Sequence, residues 1–210
     1  MRKKMDDKQR ESNKIMILDC ARSIMETEGL EGISIRKVAK SAGYTEGNVY
    51  NYFENKDRLI TELIQLGYQQ MMKSVTAVPY NSGSTEEQIL QMFINYTEAA
   101  LEMPEYYKAV MLSEDPKILK ITSVLSSGEE GGSKGIQKLE EMLIKGMETG
   151  EFAAEDPSFI ARSMWTANFG LTIRLIIENP SKGQDAAALV RDQLGWIFRG
   201  LKRREDHGNQ

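Results

Sequence analysis

Apolar residues recur at spacings of three and four along nearly the whole chain, the period of an α-helix, and no stretch alternates as a strand does. Ile17, Leu18, Ala21, Ile24 and Met25 predict a first helix that ends at Gly29. Ser34 is a good N-cap, and Ile35, Val38, Ala39 and Ala42 then paint one apolar face, with Arg36, Lys37 and Lys40 opposite. Gly43 stands where a helix ends through a left-handed residue. Thr45 opens a short helix in which Val49 and Phe53 can bury. Asn55 caps a long helix running from Lys56 towards Val78 and stopping before Pro79.

Beyond a turn at 79–83, Thr85 with Gln88 reads as a capping box. Pro104 and Pro116 interrupt the helical pattern, and a helix over Gly135 to Met147 is stopped by Gly150. Asp156-Pro157 opens a helix whose seam is Ile160, Met164, Ala167, Leu171 and Leu175, kept slim by Ala161, Ser163 and Gly170. In the last helix Val190, Leu194, Ile197 and Leu201 form one face, broadened by Ala186, Leu189 and Trp196. The expected class is all-α: an N-terminal three-helix head and a C-terminal helical domain. The divisions are 1–55, a connecting helix at 56–78, a second domain at 79–202 and a polar tail at 203–210. The stretch Ser126 to Gly135 holds four Gly and three Ser, and reads as a loop without the spacing of a phosphate cradle.

The two helices joined at Ala42-Gly43-Tyr44 have the layout of a helix-turn-helix, in which the second helix enters the major groove of DNA. Around Val49 and Phe53 stand Thr45, Glu46, Gly47, Asn48, Tyr50, Asn51 and Tyr52. Asn can bridge adenine, Thr and Tyr reach bases or phosphates, and Gly lets the backbone approach. Lys56 and the N–H groups of the helix that Asn55 caps would together suit a phosphate.

The segment from about Lys14 to Leu66 resembles the DNA-binding domain of TetR-family transcriptional regulators. The resemblance is carried by Ala21, Gly29, Ile33 to Ala39, Ala42-Gly43, Gly47 to Phe53 and Asn55-Lys56. It implies DNA contacts at Arg36, Thr45, Glu46, Gly47, Asn48, Tyr50, Asn51, Tyr52 and Lys56. Tyr50, Tyr52 and Lys56 would hold phosphates; Thr45 to Asn48 and Asn51 would read bases. Glu46 is acidic on such a face, and either accepts from a cytosine amine or lies clear of the backbone.

Charge agrees with that division. Residues 1–60 contain 12 Lys/Arg and 10 Asp/Glu, whereas the remaining 150 contain 15 and 21. A mildly basic head on an acidic body suits a DNA reader with a separate regulatory part. Arg2-Lys3-Lys4 is either a phosphate-binding arm or a solvated tail. At 210 residues, 40% hydrophobic and 28% charged, the chain suits one or two soluble domains. No apolar run reaches membrane-spanning length, and Asp19 and Arg22 interrupt any signal-peptide core, so a cytoplasmic location is expected. Cys20 is alone and is expected as a small core residue.

Enzymatic chemistry finds no footing. The single His207 lies in the polar tail, which leaves Cys–His and Ser–His arrangements and zinc sites without ligands. No cofactor or metal is expected.

The second domain is expected to hold a ligand. Met92, Phe93, Tyr96, Tyr107, Met111, Met142, Trp165, Asn168 and Phe169 could line an adaptable apolar site for a lipophilic or aromatic effector, although such residues at helical spacing also serve as plain core. The TetR resemblance implies homodimerisation through the last two helices, with the alternative that both belong to a monomer core. Two heads about 34–36 Å apart would read a palindromic operator in double-stranded DNA. The expected function is a ligand-responsive homodimeric repressor, released by a small-molecule effector. The alternative is a DNA-binding regulator whose C-terminal domain answers a protein partner.

Overall fold

The computed structural model describes residues 7–76, 83–124, 133–178 and 185–202. The expected arm at Arg2-Lys3-Lys4, the loop at 79–82, the Gly-rich residues 126–132 and the tail with His207 lie outside the described residues. Those described form ten α-helices and no strand. They are α1 (Asp7–Glu28), α2 (Ile35–Ser41), α3 (Glu46–Tyr50), α4 (Lys56–Thr76), α5 (Thr85–Glu102), α6 (Pro104–Met111), α7 (Pro116–Thr122), α8 (Lys134–Glu148), α9 (Pro157–Glu178) and α10 (Ala186–Leu201). A 3-10 turn at Leu30–Gly32 links α1 to α2.

The chain divides into two compact units: Met1–Gln69 with Met103–Ser113, and Gln70–Glu102 with Glu114–Gln210. Residues 103–113 thus join the first unit, although they are distant from it in sequence.

In the first unit α1 packs on α2, α2 on α3 and α1 on α6. Its core includes Ile17, Ala21, Met25, Val38, Val49, Phe53 and Leu59, all fully buried. Local chemistry sets the helix ends. The Ser34 hydroxyl accepts from Lys37 N–H at 3.2 Å, and Gly43 ends the α2 turn at φ 69°. Asn55 Oδ1 accepts from Arg58 N–H at 2.8 Å and starts α4. Cys20 is half-buried on α1 and not enclosed by the core as expected, because Ile17, Ala21 and Met25 take the inward positions of that helix.

One longer-range hydrogen bond holds α6. Tyr106 is buried, and its hydroxyl accepts from the Gly67 N–H of α4 at 3.0 Å. Burial pushes the phenol above its ordinary range, against the Gly67 hydrogen bond and the nearby Arg22.

In the second unit α5 packs against α8, α9 and α10, while α9 also packs on α8 and α10. The cap of α5 is Ser84, not the expected Thr85. Glu87 N–H donates to Ser84 Oγ at 3.2 Å, and Ser84 N–H to the Glu87 carboxylate at 2.9 Å. The sequence Ser84-Thr85-Glu86-Glu87-Gln88 contains two overlapping box patterns. The carboxylate of Glu87 is a stronger acceptor than the Gln88 amide, while Thr85 and Gln88 are buried. The N–H groups of Thr85 and Glu86 donate instead to Glu151, each at 2.8 Å. Burial alone would raise the Glu151 pKa, but these N–H groups and Lys202 outweigh it and hold the carboxyl below its usual range.

The buried faces of the last two helices are rotated slightly from those expected. On α9 they comprise Ile160, Ala161, Met164, Trp165, Asn168, Thr172 and Leu175, with Ala167 and Leu171 only half-buried. On α10 Phe198 is buried in place of Ile197, its ring stacked on Phe152 with centroids 5.8 Å apart. The aromatic contact draws the helix one residue round.

Candidate nucleic-acid interface

The short helix α3 is shaped from within by one buried residue, Val49, followed by Phe53 just beyond its end. Thr45 caps it, its hydroxyl accepting from Asn48 N–H at 3.3 Å and keeping its own hydrogen to donate outward. Asn51 closes the other end: its N–H donates to the Asn48 carbonyl at 3.2 Å, and the next N–H, of Tyr52, to that of Val49 at 2.9 Å. Everything else on this helix faces away from the unit's core. Arg36, Thr45, Glu46, Gly47, Asn48, Tyr50 and Asn51 are exposed, whereas Tyr52 and Lys56 are half-buried.

Gly47 is informative because nothing inside the protein requires it. Its φ lies outside the left-handed region, and an added Cβ would meet only the Thr45 hydroxyl, at 3.9 Å. A helical glycine without a side chain to avoid costs up to about 1 kcal/mol relative to Ala. Gly47 leaves the backbone of α3 uncovered on its outward face.

Helix α1 braces the reader from the side, and sequence reading missed this. Arg10 Nη2 donates to the Asn51 carbonyl at 3.3 Å. Gln9 Nε2 donates to Asn13 Oδ1 at 3.0 Å, and Asn13 Nδ2 to the Tyr52 hydroxyl at 3.1 Å. In sequence these residues look like part of a charged tail. The 9–13 helical spacing was the one available hint that they share a face.

Charges in the first unit are sorted. Lys14 pairs with Glu62 at 2.5 Å, Arg22 with Asp19 at 3.2 Å, Arg58 with Glu62 at 2.9 Å, Lys108 with Glu105 at 2.6 Å, and Lys37 with Glu28. Among the described residues Lys8, Arg10, Arg36, Lys40 and Lys56 have no carboxylate partner. Three of these, Arg10, Arg36 and Lys56, belong to the reader or to its brace.

The residues expected to hold a ligand fall in both units. Met92, Phe93, Tyr96, Met142, Trp165 and Asn168 are buried in the second, where the Trp165 ring lies 5.6 Å from Phe93 and 5.0 Å from Tyr96. Phe169 is half-buried there. Tyr107, buried, and Met111, half-buried, sit on α6 in the first unit. Asn168 joins two threonines that sequence reading did not single out: Asn168 Nδ2 donates to Thr97 Oγ1 at 3.2 Å and to Thr172 Oγ1 at 3.4 Å. No helix among the described residues is long and apolar enough to cross a membrane.

Residues 17–63 match the family model of bacterial regulatory proteins, tetR family. The Bacillus subtilis (strain 168) HTH-type transcriptional regulator YobS, itself uncharacterized, is 30% identical over 112 residues, which is 51% of this chain and 56% of that protein. The chain thus spans little more than half the length of that relative. The fatty acid metabolism regulator protein of the same organism is 22% identical over 201 residues, 92% of this chain and 98% of its own. Among solved structures, the fatty acid degradation regulator FadR of Bacillus halodurans shares the fold with a TM-score of 0.70 at 20% identity, covering 96% of this chain and all of its own (100%). A tetR-family regulator from Shewanella sp. PV-4 has a TM-score of 0.63 at 18% identity, covering 91% and 99%. The capped reader, its outward polar face and the matched segment coincide on the same residues, so the first unit carries the DNA-binding helix-turn-helix segment that the model of bacterial regulatory proteins, tetR family, describes.

Proposed function

We propose that this regulator is a homodimeric repressor that binds a palindromic operator through α3 of each protomer and is released by a lipophilic effector. The observation that carries the reading is the outward face of α3, polar throughout and opened by a glycine with no internal purpose. Arg36, Tyr50, Tyr52 and Lys56 hold the phosphate backbone, while Thr45, Glu46, Gly47, Asn48 and Asn51 meet the bases.

Dimerisation runs through α9 and α10. Phe159 and Ile177 on α9 are 63% and 60% exposed in the single chain, and Trp196 on α10 is 72% exposed. Large apolar side chains left open on neighbouring helices support a self-complementary twofold contact. Functionally, 1–55 reads DNA, 79–202 senses and dimerises, and the connecting segment 56–78, which contains α4, transmits between them. The effector site draws on Met92, Phe93, Tyr96, Met142, Trp165, Asn168 and Phe169, all in the second unit. Two relatives named for fatty acid metabolism or degradation make an acyl chain the first effector to try. Such a ligand relieves repression by as much as it prefers the form whose reading helices do not match successive grooves. The protein works in the cytoplasm, where its operator lies.

The test is selection of bound fragments from the host genome with purified protein near physiological salt. Enrichment of one palindrome, lost on adding an acyl effector, supports the whole reading. Folded dimer that enriches no site overturns it. A melting temperature that ignores a panel of lipophilic compounds would move the sensor assignment to a protein partner.

A further inference from the structure

We propose that Arg10, near the start of α1, is a DNA-backbone contact held in place by the reading helix itself. The proposal rests on the DNA-binding reading above and adds a residue outside the helix-turn-helix.

Three observations converge on it. Arg10 Nη2 donates to the carbonyl of Asn51, the C-cap of α3, from 41 residues away in sequence. A guanidinium has five N–H donors, so one bond to a carbonyl leaves four to point elsewhere. Arg10 is exposed and has no carboxylate partner among the described residues, whereas Lys14, one turn further along α1, is neutralised by Glu62. The chain therefore neutralises Lys14 internally and leaves Arg10 uncompensated at the edge of the reader.

The location also answers an electrostatic need. The reader brings Glu46 to the same surface, and the carbonyls at the end of α3 carry partial negative charge. A phosphate passing that end would be repelled unless a cation met it there. Arg10 supplies one, and its planar fork can bond the Asn51 carbonyl and a phosphate oxygen at once. The Asn51 bond limits the wandering of a long side chain, so less rotamer freedom is lost when DNA arrives.

The experiment measures binding of the full-length protein to two duplexes, random-sequence DNA and the fragment recovered by genomic selection, over a range of salt. Arg10→Gln removes the charge but retains a donor for Asn51; Arg10→Lys retains the charge. For Arg10→Gln the slope of log affinity against log salt should fall by about 0.9, the release of one counterion. The weakening should be similar on both duplexes, because a phosphate contact carries no sequence information. Arg10→Lys should keep the wild-type slope, and neither variant should shift the melting temperature. An unchanged slope in Arg10→Gln overturns the proposal, and a lowered melting temperature with that unchanged slope reduces Arg10 to a brace. If wild-type protein binds neither duplex at any salt, the DNA-binding reading fails before the question of Arg10 arises.

Discussion

The backbone N–H of Gly67, in the middle of α4, donates to the hydroxyl of Tyr106 on α6 across 3.0 Å, and the Tyr106 ring fills the space where a side chain at 67 would stand. A Cβ at that position would lie 1.7 Å from Tyr106 Cε1. Gly67→Ala should therefore destabilise the first unit by about 1–3 kcal/mol, as overpacking does. Tyr106→Phe keeps the ring but removes the acceptor, and should cost about 1 kcal/mol. Urea denaturation of both variants checks this; an unshifted Gly67→Ala midpoint would sink the packing argument.

Gly47 makes the opposite prediction for stability and for binding. With open space around it, Gly47→Ala should stabilise the fold by up to about 1 kcal/mol, the helix-propensity difference. The same methyl should weaken operator binding on the order of tenfold, comparable to one mismatched base pair. A variant that melts higher and binds as well as wild type would remove Gly47 from the interface.

Stability should fall at both ends of the pH scale for separate reasons. Glu151 is held below its ordinary 4.5, so it binds protons less readily folded than unfolded. Its contribution is present above that value and is lost as pH falls through the lower native pKa. Tyr106 is raised above its ordinary 10.0, so its contribution is complete below pH 10 and is lost as pH rises further. Unfolding midpoints against pH should show Glu151→Gln flattening the acid limb and Tyr106→Phe the alkaline one. Glu151→Gln should also cost about 1 kcal/mol at neutral pH, the scale of a lost helix cap.

Trp196 offers the sharpest test of the α9/α10 pairing. It is 72% exposed, with the Arg199 guanidinium 3.8 Å from its ring centroid, so the monomer fold gains little from it. Trp196→Ala should leave the protomer folded but weaken self-association by about 2 kcal/mol or more, the usual cost of truncating an interface Trp. Sedimentation equilibrium reads this directly. A dimer as tight as wild type would place the interface elsewhere.

What was legible in sequence is what the chain decides within a few residues. Ser34, Gly43, Thr45 and Asn55 act on backbone groups one turn away, and each does so at the position its chemistry predicts. Contacts that close across the chain left no such mark. Arg10 meets Asn51 over 41 residues, Tyr106 meets Gly67 over 39, and Glu151 meets Thr85 over 66. The exchange of Ile197 for Phe198 on the buried face has the same origin, since it depends on the ring of Phe152 from another segment. The residues proposed for the sensor were least legible of all. Apolar side chains at helical spacing look alike whether they touch one another or a ligand, and only folding revealed that Tyr107 and Met111 lie in the unit of the head.

The internal economy of α3 has a consequence for how such proteins diversify. Only Val49 on that helix is buried, and its ends are fixed by Thr45 and Asn51. Glu46, Asn48 and Tyr50 do no packing, so the fold does not register what stands there. On the proposed reading of bases by Glu46 and Asn48, substitutions at those two positions redirect the protein to a new operator without first passing through an unstable intermediate. A lineage carrying this head can acquire new target genes while selection for foldability acts elsewhere.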